Sequence, residues 1–155
     1  MITVHTDVLV VGAGAAGLAT AIFSRRSSRA LEVLLVDGAR RPGAKILVSG
    51  GGRCNVTNRT VTERDFCGSS PASIRRVLKS LPVERTVAFF HELGVRLHEE
   101  PLGKLFPDSN RAREVLEALL SEATRVGVSR LDGHRVHSVS VDGQGFLAQA
   151  GDEVI

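Results

Sequence analysis

The chain has no tryptophan and no tyrosine, and its six phenylalanines bring the aromatic share to only 4% of 155 residues. Proteins that hold single-stranded nucleic acid stack bases on such rings and gather cations to meet phosphates. Here the cations lie in separated pairs, Arg25/Arg26, Arg40/Arg41, Arg75/Arg76 and Arg111/Arg113, and the formal net charge is only +3. Such pairs read as solvated helix faces, and no nucleic-acid partner is expected. Two cysteines, Cys54 and Cys67, are too few for a disulfide framework in a chain of this size. No signal peptide precedes the first apolar run, so a cytoplasmic location is the expectation. Long apolar runs are missing too. The longest, Val8 to Phe23, is broken by Gly12, Gly14 and Gly17, whereas a membrane span needs about 20 apolar residues; no membrane association is expected. His91, His98, His134 and His137 lack metal-ligand spacing with supporting ligands, and no metal site is expected.

What is present suits one ordinary globular core, since 43% of the residues are hydrophobic. Asp7 to Val11 and Leu31 to Val36 are short apolar runs of the kind buried on both faces of a parallel sheet. Between them a helix is predicted with Leu18, Ala19, Ile22 and Phe23 on its buried side, fading near Ser27 and Ser28. Pro71 to Leu81 and Pro82 to Leu93 read as two helices with proline in the first turn, the second closed by Gly94. Val95 to Glu99 and Gly103 to Phe106 predict a hairpin around a type I turn at Glu100-Pro101-Leu102-Gly103. A helix capped by Ser109 or Asn110 runs to about Arg125, with Val115, Leu116, Leu119, Leu120 and Ala123 buried. Val128 to Leu131 is a third apolar strand. Arg135 to Val141, Phe146 to Ala150 and Glu153 to Ile155 then read as a three-stranded meander with turns at Asp132-Gly133, Asp142-Gly143 and Gly151-Asp152.

The turn after the first strand is Gly12-Ala13-Gly14-Ala15-Ala16-Gly17. Gly12 permits a tight turn, Gly14 lets the backbone approach a pyrophosphate, and Gly17 lets the helix pack on the sheet. The first-turn amides, those of Ala15 and Ala16 among them, face the anion together with the helix dipole. A glycine triplet alone is a weak signal. This one follows a strand, opens a helix, and is answered twenty residues past Gly17 by Asp37 at the end of the next strand, so dinucleotide binding is expected. Asp37 would accept hydrogen bonds from the adenosine ribose and repel a 2'-phosphate. The alternative is a carboxylate that caps the turn before Gly38.

A second glycine run stands in Ser49 to Asn58, SGGGRCNVTN. Gly50, Gly51 and Gly52 expose successive amides, Arg53 adds a cation and Lys45 lies nearby, a combination suited to a phosphate or a flat ring. The alternative is a glycine-rich surface turn. Arg53 beside Cys54 would lower the thiol pKa, against the plainer reading of a packing or ring-contacting cysteine. Cys67, thirteen positions further on, is not assumed to lie near it.

VVGAGAAGLATAI, GAKILVSGGGRCNVTN and PLGKLFPDSNRAREVLEALL together resemble the amino-terminal region of the BaiN-like (YhiN-like) flavoproteins, a family of FAD/NAD(P)-dependent oxidoreductases, over nearly the whole chain. The resemblance implies an α/β, Rossmann-like FAD-binding domain of the two-dinucleotide-binding, glutathione-reductase-like type, with a helical and hairpin insertion and the meander. It implies FAD as cofactor, NAD(P)H as electron donor and a small organic molecule as substrate. Carried over residue by residue, Gly12, Gly14, Ala15, Ala16 and Gly17 hold the pyrophosphate and Asp37 the ribose. Lys45, Ser49, Gly50, Gly51, Gly52, Arg53, Cys54 and Asn55 lie along the flavin side, and the Val136 backbone meets adenine. No catalytic acid or base is identified. Two departures stand out: Asp37 where such flavoproteins more often place Glu, and Ala44 where a basic residue is expected.

Flavoproteins of this kind are longer, and their strand order would leave Asp7 to Val11 at an open sheet edge. The expectation is an incomplete FAD domain, with a missing carboxy-terminal half or a partner chain at that edge. Two functions remain in contention. One is the FAD-binding portion of an oxidoreductase that passes hydride between NAD(P)H and an organic substrate. The other is a non-catalytic module that binds NAD or an ADP-type nucleotide and presents its open edge to a partner.

Overall fold

The structure is a computed structural model that describes residues 2–68, 70–141, 143, 145–151 and 153–155; Asp142 and Asp152, expected in turns, lie outside the described residues. In chain order the elements are β1 (Ile2–Thr3), β2 (Val8–Val11), α1 (Ala15–Ser27), β3 (Val33–Asp37), α2 (Ala44–Val48), β4 (Thr57–Asn58), α3 (Pro71–Ser80), α4 (Val83–Glu92), β5 (Leu97–Glu100), β6 (Lys104–Pro107), α5 (Ala112–Val126), β7 (Ser129–Asp132), β8 (Val136–Val141), β9 (Phe146–Ala150) and β10 (Glu153–Val154). The chain divides into two compact units, Met1–Lys45 with Leu119–Ile155, and Ile46–Ala118. No helix among the described residues is long and apolar enough to cross a membrane.

In the first unit β2, β3 and β7 form a parallel sheet in that order, in register from Val8↔Val33 to Val11↔Val36 and from Leu34↔Ser129 to Asp37↔Asp132. Val33 to Val36 are all buried, as in a strand covered on both faces. Leu34 and Val36 join Ala148, Ala150 and Ile155 in one core cluster, so alternation turns Val33 and Leu35 to the opposite side. Among the described residues no strand pairs with the far edge of β2. The meander forms through β8, β9 and β10, but its sheet has four strands, because β1 adds parallel to β10. Two residues of strand are too short to show an alternating pattern.

Helix α1 buries Leu18, Ala21 and Ile22, not Ala19 and Phe23; Phe23 is exposed. The inner stripe runs 18, 21, 22, 25, and its last member is Arg25, which hides the periodicity. Its guanidinium donates to the carbonyls of Val126 (3.0 Å), Arg29 (2.8 Å) and Leu31. On α5 the buried face includes Glu122, while Leu120 is only half-buried. Glu122 lies between Arg26 and Arg125, at 2.5 and 2.6 Å, which is what allows a carboxylate there. Arg125 first, then Arg26, holds its carboxyl below the usual carboxylate range.

The second unit is built on an antiparallel sheet with β6 between β4 and β5. The β5–β6 hairpin pairs Leu97↔Pro107 through Glu100↔Lys104, and β4, too short to be read from sequence, adds Thr57↔Leu105. The hairpin turn is not type I: Leu102 in its third position has φ +68°, where type I needs about −90°. Pro71 stands in the first turn of α3 behind an Ser70 cap that accepts from the Ser73 N–H at 3.2 Å. Pro82, with ψ 160°, is instead the cap residue of α4. Gly94, at φ +84°, closes α4. Helix α5 begins at Ala112 because Asn110 is left-handed, at φ +53°, whereas a helix cap is normally extended.

Candidate dinucleotide site

The first half of the site follows from how β2 ends. Gly12 turns the chain at φ +99°, a conformation that favours glycine, and its N–H donates to the Val36 carbonyl at 2.7 Å. Gly14 is the cap residue of α1. The first helical bond runs from the Leu18 N–H to the Gly14 carbonyl, 2.9 Å, and the amides ahead of it have no acceptor within the helix. No side chain caps them, and no acid stands in the first turn. A Cβ on Gly14 would meet nothing within 4 Å, so the backbone there is open to a ligand. A Cβ on Gly17 would lie 1.7 Å from the Gly12 carbonyl oxygen; this glycine is demanded by closure of the turn itself. The open amides at the head of a 13-residue helix form a seat suited to an anion.

Asp37 hangs beside this turn. Its Oδ2 accepts from the Ala13 N–H at 2.5 Å and its Oδ1 from the Ala39 N–H at 2.7 Å. The carboxylate therefore caps the turn after β3 and also clasps the glycine turn. A carboxylate offers about four acceptor positions, so room is left for ribose hydroxyls. The turn after β7 is stitched to the same edge, with Gly133 N–H donating to the Ala39 carbonyl (3.0 Å) and His134 N–H to that of Asp37 (2.9 Å). Val136, which opens β8, packs half-buried against the core cluster at an irregularity in the β8–β9 register. Glycine turn, Asp37 and β7–β8 turn thus meet at the carboxyl end of the parallel sheet, where α/β folds place ligands. Lys45 is exposed on α2.

The glycine run of the second unit is built differently. Helix α2 passes into a 3-10 turn at Ser49–Gly52, and Gly50, Gly51, Gly52 and Cys54 all have positive φ, +56°, +68°, +86° and +65°. The amides of Arg53 and Cys54 are turned inward, to the carbonyls of Gly50 (3.4 Å) and Ser49 (2.9 Å). A Cβ on Gly50 would lie 2.9 Å from both the Asn55 nitrogen and Phe106 Cε1, while Gly51 faces open space. The Asn55 side-chain nitrogen, placed to satisfy its neighbours, donates to the carbonyls of Thr57 (2.8 Å) and Leu105 (3.2 Å).

Arg53 is already engaged. Its Nη1 lies 2.5 Å from Glu100 Oε1 and donates to Asn110 Oδ1 at 3.4 Å, with its guanidinium carbon 4.2 Å from the Phe106 ring centre. Arg53 in turn holds the Glu100 carboxyl below the usual carboxylate range, with a smaller contribution from His98. Activation of Cys54 by Arg53 is not what the loop achieves. Cys54 is buried, and burial pushes its thiol up, outweighing a hydrogen bond with Ser49; both Cys54 and exposed Cys67 are free thiols. Glu100 and Asn110 stand 47 and 57 positions from Arg53, and no local pattern in the sequence joins them to it. No group of His, Cys, Asp and Glu among the described residues is placed to hold a metal ion.

Comparison with known proteins gives this geometry a lineage. The HI0933-like protein Rossmann domain matches residues 6–154. A 3-dehydro-bile acid Δ(4,6)-reductase of Clostridium scindens is 34% identical over 141 residues, 91% of this chain and 34% of its own length. A ribosomal RNA dihydrouridine synthase of Escherichia coli K12 is 34% identical over 140 residues, 90% of this chain and 34% of its own. The chain thus spans about a third of the length of these relatives. The FrdA chain of E. coli quinol fumarate reductase shares the fold, with a TM-score of 0.68 at 19% identity over 96% of this chain and 30% of FrdA. Because the match runs from residue 6 to residue 154, the chain belongs to the HI0933-like (BaiN/YhiN) family and has the Rossmann-type FAD-binding fold of these flavoprotein oxidoreductases.

Proposed function

We infer that the chain is the FAD-binding portion of an oxidoreductase that passes hydride from NAD(P)H to an organic substrate. The observation that carries this is the uncapped head of α1, open at Gly14 and flanked by Asp37. Gly12 and Gly17 shape the seat, Gly14, Ala15 and Ala16 offer amides to the pyrophosphate, and Asp37 takes the ribose with its remaining lone pairs. The Val136 backbone meets adenine. Lys45 and the loop from Ser49 to Asn55 meet the flavin part, with Gly51 presenting bare backbone and Arg53 lending charge while tied to Glu100. Bound flavin supplies the hydride chemistry; the protein binds and orients it. The open edge of β2 receives a strand from outside these 155 residues, either further chain or a partner.

The names of the two relatives support a reductive role: a Δ(4,6)-reductase and a dihydrouridine synthase both saturate ring carbon–carbon double bonds. The substrate class proposed on that basis is a ring alkene conjugated to a carbonyl. A small molecule is favoured here because the cations are scattered and many are paired, as in Arg59–Glu99, Arg75–Glu63 and Arg130–Asp132. The second reading, an RNA substrate, rests on the E. coli relative. The test is titration with FAD, with ADP as competitor, followed by anaerobic reduction with NADH and NADPH. FAD binding displaced by ADP supports the reading, and NADH binding without any FAD binding contradicts it. Salt-sensitive retention of ribosomal RNA in a mobility-shift titration would favour the RNA substrate instead.

A further inference from the structure

The cluster that holds Arg53 has a member with no role in the reading above. His98 on β5 points one ring nitrogen at each of two carboxylates: Nε2 lies 3.6 Å from Glu100 Oε1, and Nδ1 lies 3.5 Å from Asp108 Oδ1. A neutral imidazole has one N–H and serves one of them; the imidazolium serves both. Glu100 Oε1 is also the atom that Arg53 Nη1 contacts, so the two cations share a single oxygen. Phe106 links them sterically, with its ring 4.2 Å from the guanidinium carbon and 6.5 Å from the His98 ring centre. The same ring is the surface against which Gly50 sits. Helix α4, packed on β5, brings His91 to a groove also lined by Arg96 and Asp108.

We propose that His98 is a positioning residue for Arg53, its protonation deciding how firmly Glu100 holds the guanidinium beside the glycine loop. With His98 protonated, the charges of Arg53, His98, Glu100 and Asp108 cancel. When the proton leaves, these four groups carry one net negative charge beside the Lys104 cation, the register partner of Glu100 on β6, and Glu100 turns wholly to Arg53. The positive field available to an anion at the loop is then reduced. An anionic ligand is therefore held more weakly when His98 is neutral than when it is protonated. Only the identity of that ligand, FAD, rests on the proposed function; the coupling of His98 to Arg53 does not.

Two measurements on the whole protein separate these. The first is FAD affinity between about pH 5.5 and 8.5. It is expected to weaken roughly threefold from the acid to the alkaline end of that range, and this dependence is expected to vanish in His98→Gln. The second needs no ligand: NMR protection of the Arg53 Nη–H protons against solvent exchange, relative to an unstructured arginine. It is expected to be severalfold higher at the alkaline end of the range than at the acid end, and to stay flat in His98→Gln. Protection that ignores pH in the unaltered protein, or pH dependence that survives in His98→Gln, overturns the proposal. If Arg53 protection follows His98 but FAD binds at no pH, the coupling stands and the flavin reading falls.

Discussion

The two glycine runs differ in what their backbones leave unpaired. In Gly12–Gly17 two glycines are consumed by geometry, Gly12 by its φ of +99° and Gly17 by the Gly12 carbonyl oxygen, while Gly14 leaves amides uncapped at a helix head. In Gly50–Gly52 the following amides fold back on Ser49 and Gly50, and the loop is pinned by Phe106, Glu100 and Asn110 acting on Gly50 and Arg53. One run presents donors to an anion; the other presents bare backbone and a held cation. Glycine content announces only that side chains are missing, and the neighbours decide what the bare backbone is for.

The comparison breaks most sharply at Gly17. Gly17→Ala puts a methyl group 1.7 Å from a backbone oxygen, and a loss of about 3 kcal/mol or more is expected in urea unfolding. If Gly17→Ala unfolds like the unaltered protein, the turn is not closed as described. In the second run Gly50→Ala combines a positive φ with contacts at 2.9 Å, for an expected loss of about 2 kcal/mol. Gly51→Ala meets only the strain of its φ, at about 1 kcal/mol; equal losses at the two positions would remove Phe106 from the loop's support.

Each unit also carries an arginine-clamped glutamate, and acid separates them. Glu122 is buried and its folded pKa is lowered, chiefly by Arg125. Its stabilisation is complete above the unfolded carboxyl value of about 4.3 and is lost as pH falls through the lower folded value. Glu122→Gln is expected to cost about 1 to 2 kcal/mol near neutral pH and to flatten the acid limb of the stability profile. Glu100→Gln, with a more exposed pair, is expected to leave stability nearly unchanged. The smallest effect is chemical. A thiol reagent near neutral pH is expected to modify Cys67 about tenfold faster than Cys54, whose burial raises its pKa; rapid modification of Cys54 would mean that the loop opens.

What could be read from the sequence was local. The fingerprint, Asp37 and the parallel strands follow from periodicity and spacing within about 30 residues, and the order β2–β3–β7 with an open edge at β2 agrees with them. The inner face of α1 was obscured because an arginine ends its apolar stripe, and β1 and β4 are two residues each. The support of the second loop depends on side chains from the distant β5–β6 hairpin. Cys54 shows the limit clearly: its sequence neighbour is a cation, yet that cation faces Glu100 and the thiol is buried.

FAD titration of Gly14→Val beside the unaltered protein tests the seat at the head of α1 most directly. A Cβ at this position meets no atom within 4 Å, so the variant is expected to stay folded at a cost of about 1 kcal/mol for the poorer helix cap, while losing at least about tenfold in FAD affinity, the effect of 1.4 kcal/mol. A folded Gly14→Val that binds FAD as tightly as the unaltered protein would contradict a pyrophosphate seat there.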